Sequence, residues 1–325
     1  MSQIKNKTIL ITGGAGFIGS NLCDYFLEYN KVICLDNLST GKRENTTPYL
    51  NHPKYTFIEG DIRNFGTCLK ACEDVDIIMH QAALGSVPRS INDPITSNDV
   101  NVTGFLNILN AANEKGVKRF IYAASSSTYG DSKALPKIEE NIGAPLSPYA
   151  VTKYVNELYA KVFGDLYGME TIGLRYFNVF GRRQTPDGAY AAAIPKFIKA
   201  LLNGESPQIH GDGEQTRDFT YIDNVIHANE CAASCKNTGA YNQVFNVAYG
   251  SNITINKVIE TLKENLSIKH PEVNKIESNF VASRVGDVRD SLASIEKGKN
   301  LLNYNPKFSF QDGIKVATNW YLDNL

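Results

Sequence analysis

The chain has no surplus of either charge: 33 Lys and Arg face 34 Asp and Glu, for a formal net charge of −1. Without a basic excess it lacks the phosphate-neutralising field of a nucleic-acid binder, so no nucleic-acid partner is expected. Long hydrophobic runs are also missing. The best apolar candidate, residues 189–202, is short and broken by Pro195, Lys196 and Lys199, so no membrane partner is expected. The opening MSQIKNK-TILITGG holds only a brief apolar run ending in glycines, which reads as a first strand rather than a secretory leader. Cysteine is sparse and scattered. Cys68/Cys72 and Cys231/Cys235 stand at helical i,i+4 spacing rather than CxxC, and Cys23 and Cys34 stand apart, which points to reduced thiols in a cytoplasmic protein. The five histidines never cluster at ligand spacing, so no metal is expected.

What is present is an ordinary globular composition, 42% hydrophobic and 21% charged, in a chain of 325 residues long enough for about two domains. In the first half, short β-branched runs (Thr8–Thr12, Val32–Leu35, Tyr55–Ile58, Ile77–Met79, Arg119–Ala123, Thr171–Arg175) alternate with amphipathic stretches (Phe17–Tyr29, Phe65–Cys72, Ser97–Lys115, Tyr149–Tyr167). That alternation predicts an α/β fold, a doubly wound parallel sheet covered by helices. Beyond Arg175 the pattern loosens, with frequent Gly and Pro. A smaller mixed α/β domain is expected over 176–325 after a nucleotide domain over 1–175, with a soft boundary and some segments returning to the sheet.

Gly13-Gly14-Ala15-Gly16-Phe17-Ile18-Gly19 follows the first strand and opens a helix. Glycines there allow a tight turn and let main-chain N–H groups and a helix N-terminus approach a pyrophosphate. Asp36, about twenty residues on at the end of the second strand, can accept hydrogen bonds from ribose hydroxyls and repels a 2′-phosphate. NAD is therefore preferred over NADP, although Lys42 and Arg43 lie close downstream. Asp61-Ile62 ends the third strand, where an adenine would lie, and His80-Gln81-Ala82-Ala83 ends the fourth, where small residues admit the cofactor.

Two Tyr-x-x-x-Lys pairs occur. Tyr129/Lys133 falls in a polar loop, whereas Tyr149/Lys153 opens an amphipathic helix after Ser147-Pro148, so its members share one face. An ammonium beside the phenol stabilises phenolate and makes a general base for a hydroxyl group. Ser125-Ser126-Ser127 ends the fifth strand beside the same crevice, where hydroxyls can hold the reacting oxygen.

Taken together, the strand–GxxGxxG–helix unit, Asp36, Ser125 and Tyr149/Lys153 resemble the extended short-chain dehydrogenase/reductase family, from about Thr8 to the C-terminus. Leu174-Arg175-Tyr176-Phe177-Asn178, Gly211-Asp212-Gly213 with Arg217-Asp218, and Arg284-Val285-Gly286-Asp287 resemble the UDP-sugar segments of its nucleotide-sugar 4-epimerases. The resemblance implies a tightly bound NAD that is not consumed, held by Gly13, Gly16, Phe17, Ile18, Gly19, Asp36, Asn37, Asp61, Ile62, Gln81, Ala82 and Ala83, with Tyr149, Lys153 and Tyr176. It implies a UDP-sugar whose diphosphate meets Asn178, Arg217 and Arg284, with Asp287 nearby. Tyr149 would take the 4-hydroxyl proton, the 4-keto sugar would turn over, and the opposite face would be reduced.

The 4,6-dehydratases carry Asp-Glu and the glucuronate decarboxylases Glu in the segment where this chain has Ser126-Ser127-Thr128. Gly85-Ser86 through Arg89 resembles the loop of epimerases acting on N-acetylated hexosamines. Ser291 stands where glucose-only epimerases have a bulky Tyr, and Ala192 where they often have Asn. The expectation is a UDP-N-acetylglucosamine/UDP-N-acetylgalactosamine 4-epimerase feeding surface polysaccharides. The alternatives are an epimerase of acetylated uronic acids, in which Arg89 meets a carboxylate, and a silent NAD-sensing protein. The family also implies a homodimer through the helices at 97–115 and 149–167, where Phe105, Leu109, Val155 and Phe163 suit either core packing or a dimer face.

Overall fold

The computed structural model describes residues 4–188, 191–282 and 288–325. In the first half run strands β1 (Thr8–Thr12), β2 (Lys31–Asp36), β3 (Tyr55–Glu59), β4 (Ile77–His80), β5 (Arg119–Ser125) and β6 (Glu170–Tyr176). Between them lie helices α1 (Phe17–Leu27), α2 (Phe65–Ala71), α3 (Val87–Asn92), α4 (Pro94–Asn98), α5 (Gly104–Glu114) and α6 (Pro148–Tyr167). Beyond Tyr176 come β7 (Val179–Phe180), α7 (Ala193–Leu202), β8 (Gln208–His210), β9 (Thr216–Arg217), β10 (Thr220–Tyr221) and α8 (Ile222–Ser234). The chain continues through β11 (Gln243–Val247), β12 (Ile253–Thr254), α9 (Ile255–Leu266), β13 (Asn279–Val281), α10 (Glu296–Leu302) and α11 (Phe310–Asn324).

Seven strands form one parallel sheet in the order β11-β6-β5-β4-β1-β2-β3. Helices cover both faces, so the strands are apolar on both sides rather than alternating with polar residues. Along β1, Ile9 and Ile11 join one core with Leu22 and Phe26, while Leu10 joins the other with Leu35, Ile78 and Phe105. Leu10 is completely buried, and truncating such a side chain to Ala costs about 2–5 kcal/mol. The seventh strand is drawn from the second half: β11 pairs with β6 from Gln243↔Ile172 to Val247↔Tyr176.

Local chemistry sets the helix ends that matter for the site. Ser147 accepts the Ala150 N–H at 3.1 Å, Pro148 takes the first helical position, and Gly168 at φ +68 closes α6. The predicted unbroken helix from Ser97 to Lys115 is instead interrupted by a π turn, Asp99–Thr103. The cause is visible in Asn101, whose side chain bonds away from the helix: it accepts the Leu84 N–H at 2.7 Å and donates to Leu84 O at 3.1 Å and Thr152 Oγ1 at 3.2 Å.

Phe105, Leu109 and Phe163 are buried in the core, and so do not form an outer face. The exposed large hydrophobic side chains of α6 are Val151, Leu158, Val162, Leu166 and Tyr167. Among the described residues no helix is long and apolar enough to cross a membrane.

Candidate active site

Parallel strands deliver their loops to one edge, and β1 lies between β4 and β2, so connections diverge there and leave a crevice. Gly13, at φ +68, carries the turn out of β1 so close to the β4 loop that a Cβ would lie 2.7 Å from the Ala82 nitrogen. Gly19 brings α1 against the same turn: a Cβ there would lie 2.1 Å from Gly13 O. A cleft of about 290 Å³ results, lined by Gly13, Gly16, Phe17, Ile18, Gly19, Asp36, Asn37, Asp61, Ile62, Gln81, Ala82 and Ala83. Gly85, expected on the sugar side, lines this cleft as well.

The carboxylates of this cleft are held by their surroundings. Asp36 accepts the Ala15 N–H at 2.9 Å and the Leu38 N–H at 2.8 Å. Burial raises its pKa against the pull of those two bonds. Asp61 is held at about 2, chiefly by hydrogen bonds from Arg63, and accepts from Asn37 at 2.8 Å. Tyr176 does not line the cleft. Its hydroxyl donates to Gln81 Oε1 at 3.2 Å and accepts from Asn229 at 2.9 Å, so it acts on the cleft through Gln81.

Tyr149 and Lys153 stand one turn apart on α6, facing the end of β5. Lys153 is almost fully buried and donates to Ala123 O at 2.9 Å. Burial pulls its pKa down to about 8, with Glu157 pulling the other way. Burial raises the Tyr149 hydroxyl and a hydrogen bond with Ser125 lowers it. Ser125 also accepts from the Ser127 N–H at 3.1 Å and hydroxyl at 2.8 Å. The other Tyr-x-x-x-Lys pair does not converge: Tyr129 donates to Asn246 Oδ1 at 2.7 Å and Lys133 is exposed.

Two adjoining cavities open beyond α6. The larger, about 530 Å³, is lined by Ser86, Asn178, Ala192 and Arg217, together with Phe180, Gln184, Phe197, His210, Gln215 and Phe219. The smaller, about 240 Å³, is lined by Ser126, Ser127, Lys137, Asp290 and Ser291, and shares Val87, Asn178 and Arg217 with the first. Ser86 (φ +98) and Asn178 (φ +35) hold left-handed backbone at these walls, a conformation that costs a non-glycine residue and collects at functional sites. Asn178 donates to Asp218 O at 3.0 Å, and Arg217 donates to Thr216 O at 2.8 Å and Arg289 O at 3.0 Å. Ser291 is fixed by its N–H to Thr216 O at 3.2 Å. Arg89 sits on α3 and lines none of these cavities among the described residues. Arg284 and Asp287 lie outside the described residues.

The structure gives roles to groups that the sequence pattern left without one. Asn101 clamps the Leu84 loop between the two clefts, and its only signal was a small amide inside a helical run. Gln184 and Gln215 line the larger cavity, each with a buried side-chain oxygen that has no protein partner. Asp218, completely buried, accepts the Ala293 N–H at 3.1 Å and the Tyr249 N–H at 3.3 Å, tying the Ser291 segment to the core. Burial raises it to about 7.

This architecture has close counterparts among solved structures. A UDP-N-acetylglucosamine 4-epimerase from Methanobrevibacter ruminantium M1, in complex with UDP-N-acetylmuramic acid, is 39% identical with a TM-score of 0.92, covering 99% of this chain and 100% of that one. A UDP-glucose 4-epimerase with UDP-glucose from Thermotoga maritima is 36% identical with a TM-score of 0.89, covering 97% and 99%. A UDP-glucuronic acid 4-epimerase from Bacillus cereus, in complex with UDP-glucuronic acid and NAD, is 32% identical with a TM-score of 0.88, again covering 97% and 99%. With residues 9–248 matching it, this chain belongs to the NAD dependent epimerase/dehydratase family.

Proposed function

We propose that the chain is an NAD-dependent UDP-sugar 4-epimerase whose main substrates are UDP-N-acetylglucosamine and UDP-N-acetylgalactosamine. The observation that carries the reading is the joining of two cavities at Asn178 and Arg217, with Ser291 on the wall of the smaller one alongside Ser126 and Ser127. A hydroxymethyl at Ser291 leaves space for a 2-acetamido group that a phenol would fill. The cleft at the β1 turn suits a dinucleotide, because the glycines at 13, 14, 16 and 19 let backbone N–H groups approach a pyrophosphate. When bound there, NAD supplies a reversible hydride acceptor for sugar carbon 4.

The chain's own residues do the rest. Tyr149 takes the 4-hydroxyl proton and returns it, Lys153 supplies the positive charge that favours phenolate, and Ser125 holds the hydroxyl line. Arg217 offsets diphosphate charge, joined by Arg284. Since the same face must serve both epimers, the sugar is read by several small hydroxyls rather than one rigid clamp.

The test is to incubate the purified protein, without added NAD, with UDP-N-acetylglucosamine, UDP-glucose and the acetylated glucuronate, and to separate products by anion exchange. Conversion of the first to its galacto isomer, well above the others, is expected. Dominant conversion of the uronate would move the assignment to acetylated uronic acids. The exposed apolar face of α6 supports a homodimer through that helix, expected as a two-chain mass in sedimentation. A one-chain mass at micromolar concentration would remove it.

A further inference from the structure

Behind the Tyr149–Lys153 pair lies a buried charge network that the reaction above does not use. Glu157 stands one turn beyond Lys153 on α6, and both are buried, 7% and 2% exposed. Arg175 of β6 grips Glu157 with two bonds, Nε to Oε1 at 2.8 Å and Nη2 to Oε2 at 2.7 Å. Its Nη1 donates to Glu139 O at 2.9 Å, and its guanidinium lies 4.9 Å from the centre of the Tyr129 ring. Taking such a pair out of water is costly, and an apolar pair of the same volume often serves stability as well or better. The pair therefore calls for a reason beyond packing.

Lys153 provides one. In a low-dielectric site an unpaired ammonium sheds its proton, and a carboxylate one turn away opposes that loss. A carboxylate alone would cancel the charge that Tyr149 needs. With Arg175 on its far side, the trio keeps a net charge of one positive unit, so the ammonium is stabilised without being neutralised. The other titratable groups on the elements around it leave this balance to Glu157. His80 of β4 is held neutral, near 3, by burial and by Lys153 itself. Burial also keeps Tyr122 of β5 neutral and pushes Tyr129 up to about 12. On the remaining elements against α6, Asp99 of the π turn is paired with Arg63, and Arg89 lies on α3.

We propose that Glu157, clamped by Arg175, is a positioning residue that keeps the Lys153 ammonium charged at working pH. The proposal rests on the reading of Tyr149 and Lys153 as the reacting pair, but it can be tested without substrate. A buried lysine whose folded pKa lies below its unfolded value near 10.4 holds fewer protons in the folded chain between the two. Stability therefore rises with pH across that window, and the cost of the buried charge is full below its lower edge.

The edge is read from the pH dependence of unfolding, wild type minus Lys153→Met, and then in the Glu157→Gln background. In that background it should fall by about one pH unit, and the alkaline limb of kcat/KM should fall with it. Arg175→Met, which leaves the carboxylate alone beside the ammonium, should move the edge upward, and decides the matter if Glu157→Gln does not fold. Folded variants whose edge stays at the wild-type pH overturn the proposal. An edge that moves while the rate limb stays supports it, and would instead remove Lys153 from the proposed reaction.

Discussion

The dinucleotide cleft and the sugar cavities meet at one edge of one sheet, yet they are assembled differently. The first takes its walls from the ends of β1, β2, β3 and β4 and the short segments that follow them, with Val100 of the π turn added. The second gathers residues 86–88, 126–130, 137, 146–150, 177–184, 191–219, 255 and 288–291, from many segments spread along the chain. A turn that must bring backbone to a pyrophosphate leaves little choice of residue, because Gly13 takes a positive φ and a Cβ at Gly14 or Gly19 would fall less than 3 Å from a neighbour. A cavity that must hold a sugar in two orientations is defined by shape, and many side chains can supply a shape. The difference teaches that binding a constant cofactor leaves a local signature, while selecting among similar sugars leaves a distributed one.

Three substitutions break or sharpen that contrast. Tyr149→Phe removes the proposed proton carrier and should slow epimerisation by roughly 10²–10⁴-fold while NAD stays bound through desalting. Near-wild-type turnover would take Tyr149 out of the chemistry. Gly19→Val strikes only the dinucleotide side. Its Cβ already falls 2.1 Å from Gly13 O, so the turn must open, with a stability loss of about 1–3 kcal/mol. Resident NAD should be lost from protein that remains folded by circular dichroism, and full retention would show that the turn does not cradle the cofactor. Ser291→Tyr strikes only the sugar side. It should lower kcat/KM for the acetylated sugar by about 10–200-fold and spare UDP-galactose, the range one steric contact commands. Equal loss on both sugars would mean that Ser291 does not gate the cavity.

Much of the first half was legible. The six β-branched runs lie within the observed strands, and Ser147-Pro148 marks the start of α6 by the bonding it predicts. The π turn at Asp99–Thr103 was not legible, because helical periodicity carries no sign of an amide that leaves its own helix for Leu84 and Thr152. Tyr176 reads as a cofactor ligand by position, but its hydroxyl is taken by Gln81 and Asn229. Arg89 reads as a pocket cation, but among the described residues it is its helix neighbours Val87 and Pro88 that line the larger cavity. In each case the residue type was right for the chemistry, and its direction depended on a partner distant in sequence.

By itself the sequence determined the parallel sheet, the glycine turn, the carboxylate ending β2 and the Tyr149/Lys153 face, because each depends on interactions within a few residues. Only the tertiary structure decided that β11 returns to complete the sheet, that Asp218 ties down the Ser291 segment, and that Arg175 and Glu157 stand behind Lys153. Those pairings join residues 18 to 75 positions apart. Burial and hydrogen bonding select them only once the core has closed, because an exposed chain can satisfy the same polar groups with water.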